Sequence, residues 1–342
     1  MNILAIHDGK LGHVSQITGV LEYLPLNANV EILKIPTIFL KLLPVCLLKQ
    51  SWLIPKSFKK VLQELAIREW YPQKIIAVGK RTLPFVLYTK AMLYKQGKQC
   101  KIIYLMPPTK KNHKSINLTF FHSYKGKNIK ANMIPIGLAP HFVTPDKLLL
   151  AKKENIFKNV PKPIITVLIG GDAKNIQFNE SALQDLIFFL KHILQQTKGT
   201  LIISTSRRTK PKVAKLLEKE LSKLPAIYFN YHENKIICSN LNLNQQSELL
   251  VTSSLYFSML AAANYVVVTG ESISMLSESC SLPNDVGVYV FFSKNFYAKR
   301  YVKFHNYLYA HNYAKPLKEF SLTTNRSSYS SNQEVANYII KL

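Results

Sequence analysis

The chain has 342 residues, of which 47% are hydrophobic and 19% are charged, so it can bury a sizeable core and has the usual length of two domains. Lys and Arg total 45 against 19 Asp and Glu, and the formal net charge of +26 favours a polyanionic partner without choosing between nucleic acid, anionic lipid and nucleotide phosphates. The four cysteines lie far apart in the sequence, which argues against a disulfide framework or a thiolate zinc site and fits a reducing cytoplasm.

The first residues, MNILAIHDGK, contain no basic leader before an apolar stretch, so we expect no secretory signal and a cytoplasmic protein. The most apolar region runs from residue 35 to residue 55. Lys41, Pro44 and Lys49 divide it into pieces far shorter than the ~20 residues of a membrane-spanning helix. We therefore expect no membrane span, while peripheral contact with the inner membrane surface stays open.

Runs rich in Ile and Val alternate with helical segments, which is typical of parallel α/β layers. The predicted strands are Asn2–His7, Asn29–Ile35, Lys74–Val78, Lys101–Leu105, Leu118–Phe121, Asn132–Ile136, Ile164–Ile169, Thr200–Ser204, Ala226–Asn230, Tyr265–Val268 and Val286–Phe291. A charged stretch with prolines near both ends, residues 146–162, is predicted as a linker. The predicted domains are thus 1–145 and 163–300, followed by a tail, 301–342, that packs back across them.

The loop after the first strand, His7 to His13, carries the first candidate site. Gly9 and Gly12 allow a tight turn and a close approach to a ligand, and the helix that follows offers free N–H groups to an anion. Asp8 lies in the same loop. His13, in the first helical turn, is a candidate general base because imidazole titrates near neutral pH. An ordinary turn with a structural histidine explains the pattern as well.

A second basic turn, with Lys80 and Arg81, follows the third strand and is expected at the same edge of the sheet. Two such turns indicate an anionic ligand. Arg81 is the stronger candidate because its planar guanidinium can hold a phosphate or carboxylate through two hydrogen bonds. Dispersed, solvated lysines are the alternative for the basic surface as a whole.

The second half repeats this arrangement at the ends of its strands. Gly170 and Gly171 close one strand, and a turn with Ser206, Arg207 and Arg208 closes the next. Hydroxyls, guanidinium groups and loop N–H groups together favour a diphosphate ligand. A solvated basic turn is the alternative.

The segment Thr269–Glu278 runs from a strand into a helix. Ser272 and Ser274 could cap this helix or donate to a phosphate, and Glu278 could accept from ribose hydroxyls or lie exposed on the helix. Walker, dinucleotide-binding and metalloprotease motifs are absent from the sequence, so we predict no metal and no cofactor.

Six segments together resemble the elongated-mitochondria (mitochondrial fission) proteins of plants and their bacterial relatives. They are HDGKLGHVSQ at the start, AVGKRTLP at 77–84, GLAPHFVTPDKL at 137–148, VLIGGDAKNIQFNE at 167–180, ISTSRRTKP at 203–211 and VTGESISMLSES at 268–279. The chain departs from the family pattern in a longer polar insertion at 233–247 and in the turn Ser281–Val286.

The resemblance implies an α/β fold of GT-B type, with two Rossmann-like domains facing across a cleft and a nucleotide sugar held by the second. A more distant likeness is to the lipid-linked N-acetylglucosamine transferase of peptidoglycan synthesis, whose first loop also ends in Gly-His, as Gly12-His13 does here. We therefore predict a glycosyltransferase that uses a nucleotide-diphosphate sugar. A scaffold that recruits an unidentified protein partner at a membrane, or a nucleotide-sugar epimerase, are the alternatives.

Residues 35–60 combine apolar side chains, among them Trp52 and Phe58, with five lysines and no acidic residue. This composition predicts reversible binding to an anionic membrane surface, and a pair of core helices with solvated lysines is the alternative. The lysines are spread along both halves and no nucleic-acid-binding motif is present, so we expect no specific nucleic acid partner.

Overall fold

The computed structural model describes residues 1–35, 54–108, 114–125, 131–173, 175–240, 253–293 and 298–342. The chain forms two compact units. Unit 1 comprises Met1–Phe142 and Ser330–Leu342, and unit 2 comprises Val143–Tyr329.

Unit 1 is a six-stranded parallel sheet covered by helices on both faces. Its strands pair in the order β2-β1-β3-β4-β5-β6. They are β1 (Asn2–His7), β2 (Asn29–Lys34), β3 (Lys74–Ala77), β4 (Lys101–Tyr104), β5 (Leu118–His122) and β6 (Met133–Ile136). The helices are α1 (Leu11–Leu21), α2 (Lys56–Ile67), α3 (Leu83–Lys95) and the C-terminal helix, α10 (Asn332–Lys341). The strands are nearly continuous apolar runs because both faces of the sheet are buried.

The C-terminal helix returns to unit 1 through polar anchors. Asn332 accepts the backbone N–H of His141 at 2.9 Å and donates to the His141 carbonyl at 2.7 Å. At the other end of α10, the buried ammonium of Lys74 donates to the carbonyl of Ile339 at 2.6 Å. Carbonyls in the last turn of a helix have no partner within the helix, so Lys74 caps α10. Burial lowers the pKa of Lys74.

Unit 2 is a seven-stranded, mainly parallel sheet in the order β10-β9-β8-β7-β11-β12-β13. Its strands are β7 (Ile164–Leu168), β8 (Thr200–Ser204), β9 (Ala226–Asn230), β10 (Lys235–Ser239), β11 (Tyr265–Thr269), β12 (Gly287–Phe291) and β13 (Lys315–Pro316). Its helices are α4 (Pro145–Glu154), α5 (Glu180–Thr197), α6 (Pro211–Leu221), α7 (Ser253–Ala262), α8 (Ile273–Cys280) and α9 (Lys299–Ala310). Only β10 runs antiparallel to its neighbour among the described strands.

All predicted strands are present within one or two residues of their predicted ends, and two further strands were missed. Strand β10 lies inside the insertion 233–247, which looks like a polar loop because the strand is at the sheet edge and only half-buried. Strand β13 has two residues, too few for a periodic signal.

The structure divides the chain differently from the predicted domains. Residues 146–162, predicted as a linker, contain most of α4, which packs against α7 in unit 2. The predicted tail, 301–342, is shared: α9 and β13 belong to unit 2, and α10 belongs to unit 1. A charged stretch between prolines therefore forms a helix here, with Asp146 in its first turn and with Leu149 and Leu150 exposed.

The Ile and Phe side chains that the structure describes in the predicted membrane segment, 35–60, lie in the core, and Trp52 lies outside the described residues. Ile54 and Phe58 are buried, and Phe58 contacts Phe85 edge-to-face with the ring centroids 4.8 Å apart. Lys56 and Lys60 of the same segment are exposed on α2. Among the helices described, none has the length and apolar character needed to cross a bilayer.

Candidate functional site

The loop after β1 holds an aspartate–histidine pair in unit 1. The Nδ1 atom of His13 lies 2.6 Å from Oδ1 of Asp8, and the Lys10 ammonium lies 3.3 Å from Oδ2. The Asp8 side chain is 1% exposed, whereas that of His13 is 25% exposed. A buried carboxylate thus orients an imidazole that solvent can reach.

The charge of Asp8 is fixed by its two partners. Burial alone would raise the pKa of Asp8, but the His13 hydrogen bond and the charges of His13 and Lys10 outweigh burial and lower the pKa to about 2. Asp8 is therefore ionised at neutral pH and can accept a hydrogen bond from an N–H group at Nδ1 of His13. In neutral imidazole only one nitrogen carries hydrogen, so the Asp8 bond leaves Nε2 as a proton acceptor.

Gly79, at the end of β3, makes room for this pair. Its φ of +94° is in the left-handed region, and an added Cβ would lie 2.9 Å from Nδ1 of His13 and 3.1 Å from Oδ2 of Asp8. The turn that begins there, Lys80–Thr82, starts with exposed Lys80 and half-buried Arg81. Two strand ends thus meet at the His13 ring, as expected for neighbouring parallel strands.

The remaining residues of the first loop have structural tasks. His7 accepts the N–H of Gly9 on its Nδ1 at 3.0 Å, and burial lowers the pKa of His7. Gly9 has a φ of +75°, and an added Cβ would lie 2.7 Å from Cε of Lys34. Gly12 is the second residue of α1. Gly9 therefore shapes the turn, and Asp8 and His13 remain the candidates in this loop for a chemical role.

In unit 2 the two glycines after β7 are already bound within the protein. Gly170 donates its N–H to Thr269 Oγ1 at 2.8 Å, and Gly171 donates to Oε1 of Glu271 at 2.7 Å. The next N–H, of Asp172, donates to the carbonyl of Arg208 at 3.1 Å. A threonine hydroxyl and a carboxylate therefore occupy these two N–H groups in this conformation, and their binding of a diphosphate stays a prediction.

The turn after β8 combines internal bonds with accessible cations. The Ser206 hydroxyl donates to the carbonyl of Gly170 and accepts the N–H of Arg208. The half-buried Arg208 guanidinium donates to the carbonyl of Asp172 at 3.2 Å, whereas Arg207 is exposed. Ser206 thus stabilises the loop through its hydrogen bonds. The guanidinium group of Arg207 is more exposed than that of Arg208 and therefore more accessible to an anion.

The N-terminus of α8 remains open. Ser272 is the N-cap residue, but its side chain makes no capping hydrogen bond, and Ile273 to Met275 are only half-buried. The first N–H groups of a helix have no partner within it, so Ser274 and its neighbours present donors beside the basic turn after β8.

Glu278 lies deeper than an exposed helix carboxylate. It is buried and accepts the hydroxyl of Tyr256 at 2.5 Å, and burial, followed by the Glu278 charge, raises the pKa of Tyr256 well above its ordinary value. To accept a hydrogen bond from a ribose hydroxyl, Glu278 would have to give up part of its contact with Tyr256.

Glu271 lies among these loops of unit 2 and was not predicted from the sequence as a site residue. Only 3% of Glu271 is exposed, and its Oε1 also accepts the Thr269 hydroxyl at 2.8 Å. Burial raises its pKa despite these hydrogen bonds and the nearby charge of Arg208. The available signal was an acidic residue directly after a strand and a glycine, at the sheet edge where ligands bind.

The family resemblance is confirmed by comparison with known proteins. A family model described as Mitochondrial fission ELM1 matches residues 11–342. "Uncharacterized protein RP120" of Rickettsia prowazekii is 27% identical over 335 residues, covering 86% of this chain and 84% of that protein. The Mitochondrial fission protein ELM1 of Arabidopsis thaliana is 30% identical over 132 residues, covering 39% of this chain and 26% of the plant protein.

Solved structures show the same fold. The UDP-GlcNAc 2-epimerase of Methanocaldococcus jannaschii matches over the whole of both chains with a TM-score of 0.53 and 14% identity. The same enzyme in complex with UDP-GlcNAc and UDP matches with a TM-score of 0.50 and 13% identity. The predicted GT-B-like α/β fold with two mainly parallel sheets is thereby confirmed. With a family match that spans nearly its entire length, the chain belongs to the Mitochondrial fission ELM1 family.

Proposed function

We propose that the protein is a glycosyltransferase that uses a nucleotide-diphosphate sugar, with His13 as its general base. The observation that carries this proposal is the 2.6 Å contact between His13 Nδ1 and the buried carboxylate of Asp8. A carboxylate on Nδ1 leaves Nε2 free to take a proton, which is the arrangement that general-base catalysis by histidine needs.

In the proposed reaction, Nε2 of His13 removes the proton of an acceptor hydroxyl. The acceptor oxygen forms a bond to the anomeric carbon of the sugar, and the bond from that carbon to the diphosphate breaks, so the nucleoside diphosphate leaves with the electron pair. Asp8 stabilises the imidazolium that forms, and Lys10, Lys80 and Arg81 make the surroundings favourable for an anionic acceptor.

Unit 2 would hold the donor substrate. Arg207, Arg208 and the open N-terminus of α8 with Ser272 and Ser274 would bind the diphosphate, and Glu278 would accept from the ribose. A neighbour of the same fold binds UDP-GlcNAc and UDP according to its title, which supports a ligand of this class.

A thermal-shift titration with UDP, GDP, ADP and their sugars tests the donor, followed by product analysis with the sugar that binds. We expect stabilisation by one nucleotide series and a loss of turnover of about 10²- to 10⁴-fold in His13→Gln. The matched control is His192→Gln, since His192 is exposed on α5. No stabilisation of the folded protein by any nucleotide would contradict the proposal, and an epimerised sugar without transfer would identify an epimerase instead.

A non-catalytic role in recruiting a protein partner is the second candidate. Family membership supports it, as do the glycine N–H groups of unit 2, which are bound internally. A scaffold needs those glycines for folding and has no use for the accessible guanidinium group. If Arg207→Ala and Arg208→Ala leave cellular function and partner binding intact, the scaffold is favoured over the enzyme.

We further propose an electrostatic contact with anionic membranes through Lys56 and Lys60, which are exposed on α2. Each basic residue near a bilayer surface adds about 1 kcal/mol of binding free energy. Sedimentation with anionic and neutral vesicles tests this contact. Binding should require anionic lipid, weaken with salt and decrease in Lys56→Gln/Lys60→Gln. Equal sedimentation with neutral vesicles would contradict it.

A further inference from the structure

Glu271 occupies the position in unit 2 where an anionic ligand would find its donors. Its Oε1 accepts the N–H of Gly171 at 2.7 Å, and Arg208 is the cation whose charge acts on it. An added Cβ on Gly170 would collide with Oε1 of Glu271 and lie 2.7 Å from Nη2 of Arg208, so these two groups lie together over that glycine. A carboxylate, a glycine N–H and a guanidinium therefore form one compact cluster.

The other oxygen of this carboxylate is unsatisfied. Oε2 of Glu271 is buried and has no hydrogen-bond partner among the residues that the structure describes. A buried carboxylate with one unpaired oxygen lowers the stability of the fold, because that oxygen has lost its hydration without gaining a hydrogen bond. The cluster lies next to the uncapped first turn of α8, which begins two residues after Glu271.

We propose that Glu271 is a built-in anion that competes with the diphosphate of a nucleotide sugar for the Gly171 N–H and for Arg208. The ligand then binds unit 2 fully only when Glu271 takes up a proton or withdraws from the cluster. This inference rests on the proposed function and adds to it a residue that sets both the affinity of the donor and its dependence on pH.

Glu271 is the titratable carboxylate of the cluster. Arg208 stays charged, and the neighbouring Asp172 is paired with Lys210 at 3.0 Å. His305 of α9 contacts Gly270 and donates to its carbonyl at 2.7 Å, and burial lowers the pKa of His305 to about 4, so it is neutral near pH 7. An incoming diphosphate adds negative charge beside Glu271 and favours its protonated form, so affinity falls as pH rises.

The test is a calorimetric titration of the whole chain with UDP-N-acetylglucosamine between about pH 5.5 and 8.5. Each phosphate of this probe has one ester and one anhydride linkage and a single, strongly acidic oxygen, so the charge of the diphosphate is constant over that range. We expect wild-type affinity to fall by up to about tenfold per pH unit, with proton uptake on binding. Glu271→Gln should bind about tenfold more tightly at the highest pH, with no pH dependence.

Glu220→Gln is the matched control, because Glu220 lies on α6 with a 36% exposed side chain and pairs with Lys191 at 3.7 Å. Equal affinity and equal pH dependence in wild type and Glu271→Gln would overturn the competition and leave the proposed donor standing. Failure of all three proteins to bind this probe, together with no stabilisation by any nucleotide in the thermal-shift titration, would instead overturn the proposed function, and this inference with it. If Glu271→Gln does not fold, proton uptake by the wild type, measured in two buffers of different ionisation enthalpy, decides: no uptake overturns the proposal.

Discussion

The two units each bury a carboxylate where the strands of the sheet end, yet the two carboxylates have opposite electrostatics. Asp8 in unit 1 faces His13 and Lys10, and its pKa is lowered to about 2. Glu271 in unit 2 faces a backbone N–H, a hydroxyl and Arg208, and burial raises its pKa. The difference lies in the partner. Asp8 contacts an accessible imidazole and an ammonium group, which keep it ionised, whereas Glu271 is buried against a backbone N–H and a hydroxyl, where burial favours its protonated form.

The largest loss of stability is expected for a substitution at Gly171, where an added Cβ would meet backbone atoms. This residue has a φ of +113°, and an added Cβ would collide with the carbonyl of Arg208, which cannot move without breaking the loop. Gly171→Ala should therefore destabilise unit 2 by about 3 kcal/mol or more. Urea unfolding measures this change. A loss below about 1 kcal/mol would mean that the loop around Glu271 can shift to accommodate the added methyl group.

In unit 1 the corresponding glycine meets a side chain instead. Gly79→Ala should cost about 2 kcal/mol from its left-handed backbone and from displacement of the His13 ring, and it should also break the contact to Asp8. Gly97→Ala is the control, since Gly97 has a φ of +68° but no atom within 4 Å of an added Cβ. If both variants lose the same stability in urea, the packing of Gly79 against His13 is unimportant.

Asp8→Asn tests the charge of the pair. The pKa of about 2 lies below the ordinary value of 3.8, so ionised Asp8 stabilises the fold above about pH 4, and this stability is lost as pH falls through both values. We expect a loss of about 2 kcal/mol at pH 7 and a smaller loss near pH 3. Glu64→Gln, on the exposed face of α2, should show no such trend. A loss independent of pH would contradict the assignment.

The smallest effect is expected for Lys10→Gln. Lys10 is 57% exposed and its ion pair with Asp8 is 3.3 Å long, so solvent screens it and its contribution to stability is under about 1 kcal/mol. A loss as large as that of Asp8→Asn would mean that Lys10, and not His13, holds the carboxylate.

Much of the fold could be predicted because buried parallel strands appear in the sequence as runs of Ile and Val. Strand β10 was missed because its apolar run, Ile236 to Cys238, is short and lies between polar residues. The loops of the candidate site were predicted from glycines, hydroxyls and cations, but the pairing of Asp8 with His13 depends on the course of a turn that no spacing rule supplies. Glu271 was missed for a related reason, since its partner Gly171 is 100 residues away in the sequence.

The most direct test of the account is the protonation of the two nitrogens of His13, read from nitrogen-15 chemical shifts of the free protein at neutral to mildly basic pH. If His13 is the general base, its neutral ring carries hydrogen on Nδ1, where Asp8 accepts it, and none on Nε2, and Asp8→Asn loses this preference. A wild-type ring with hydrogen on Nε2 would contradict the general-base role of His13.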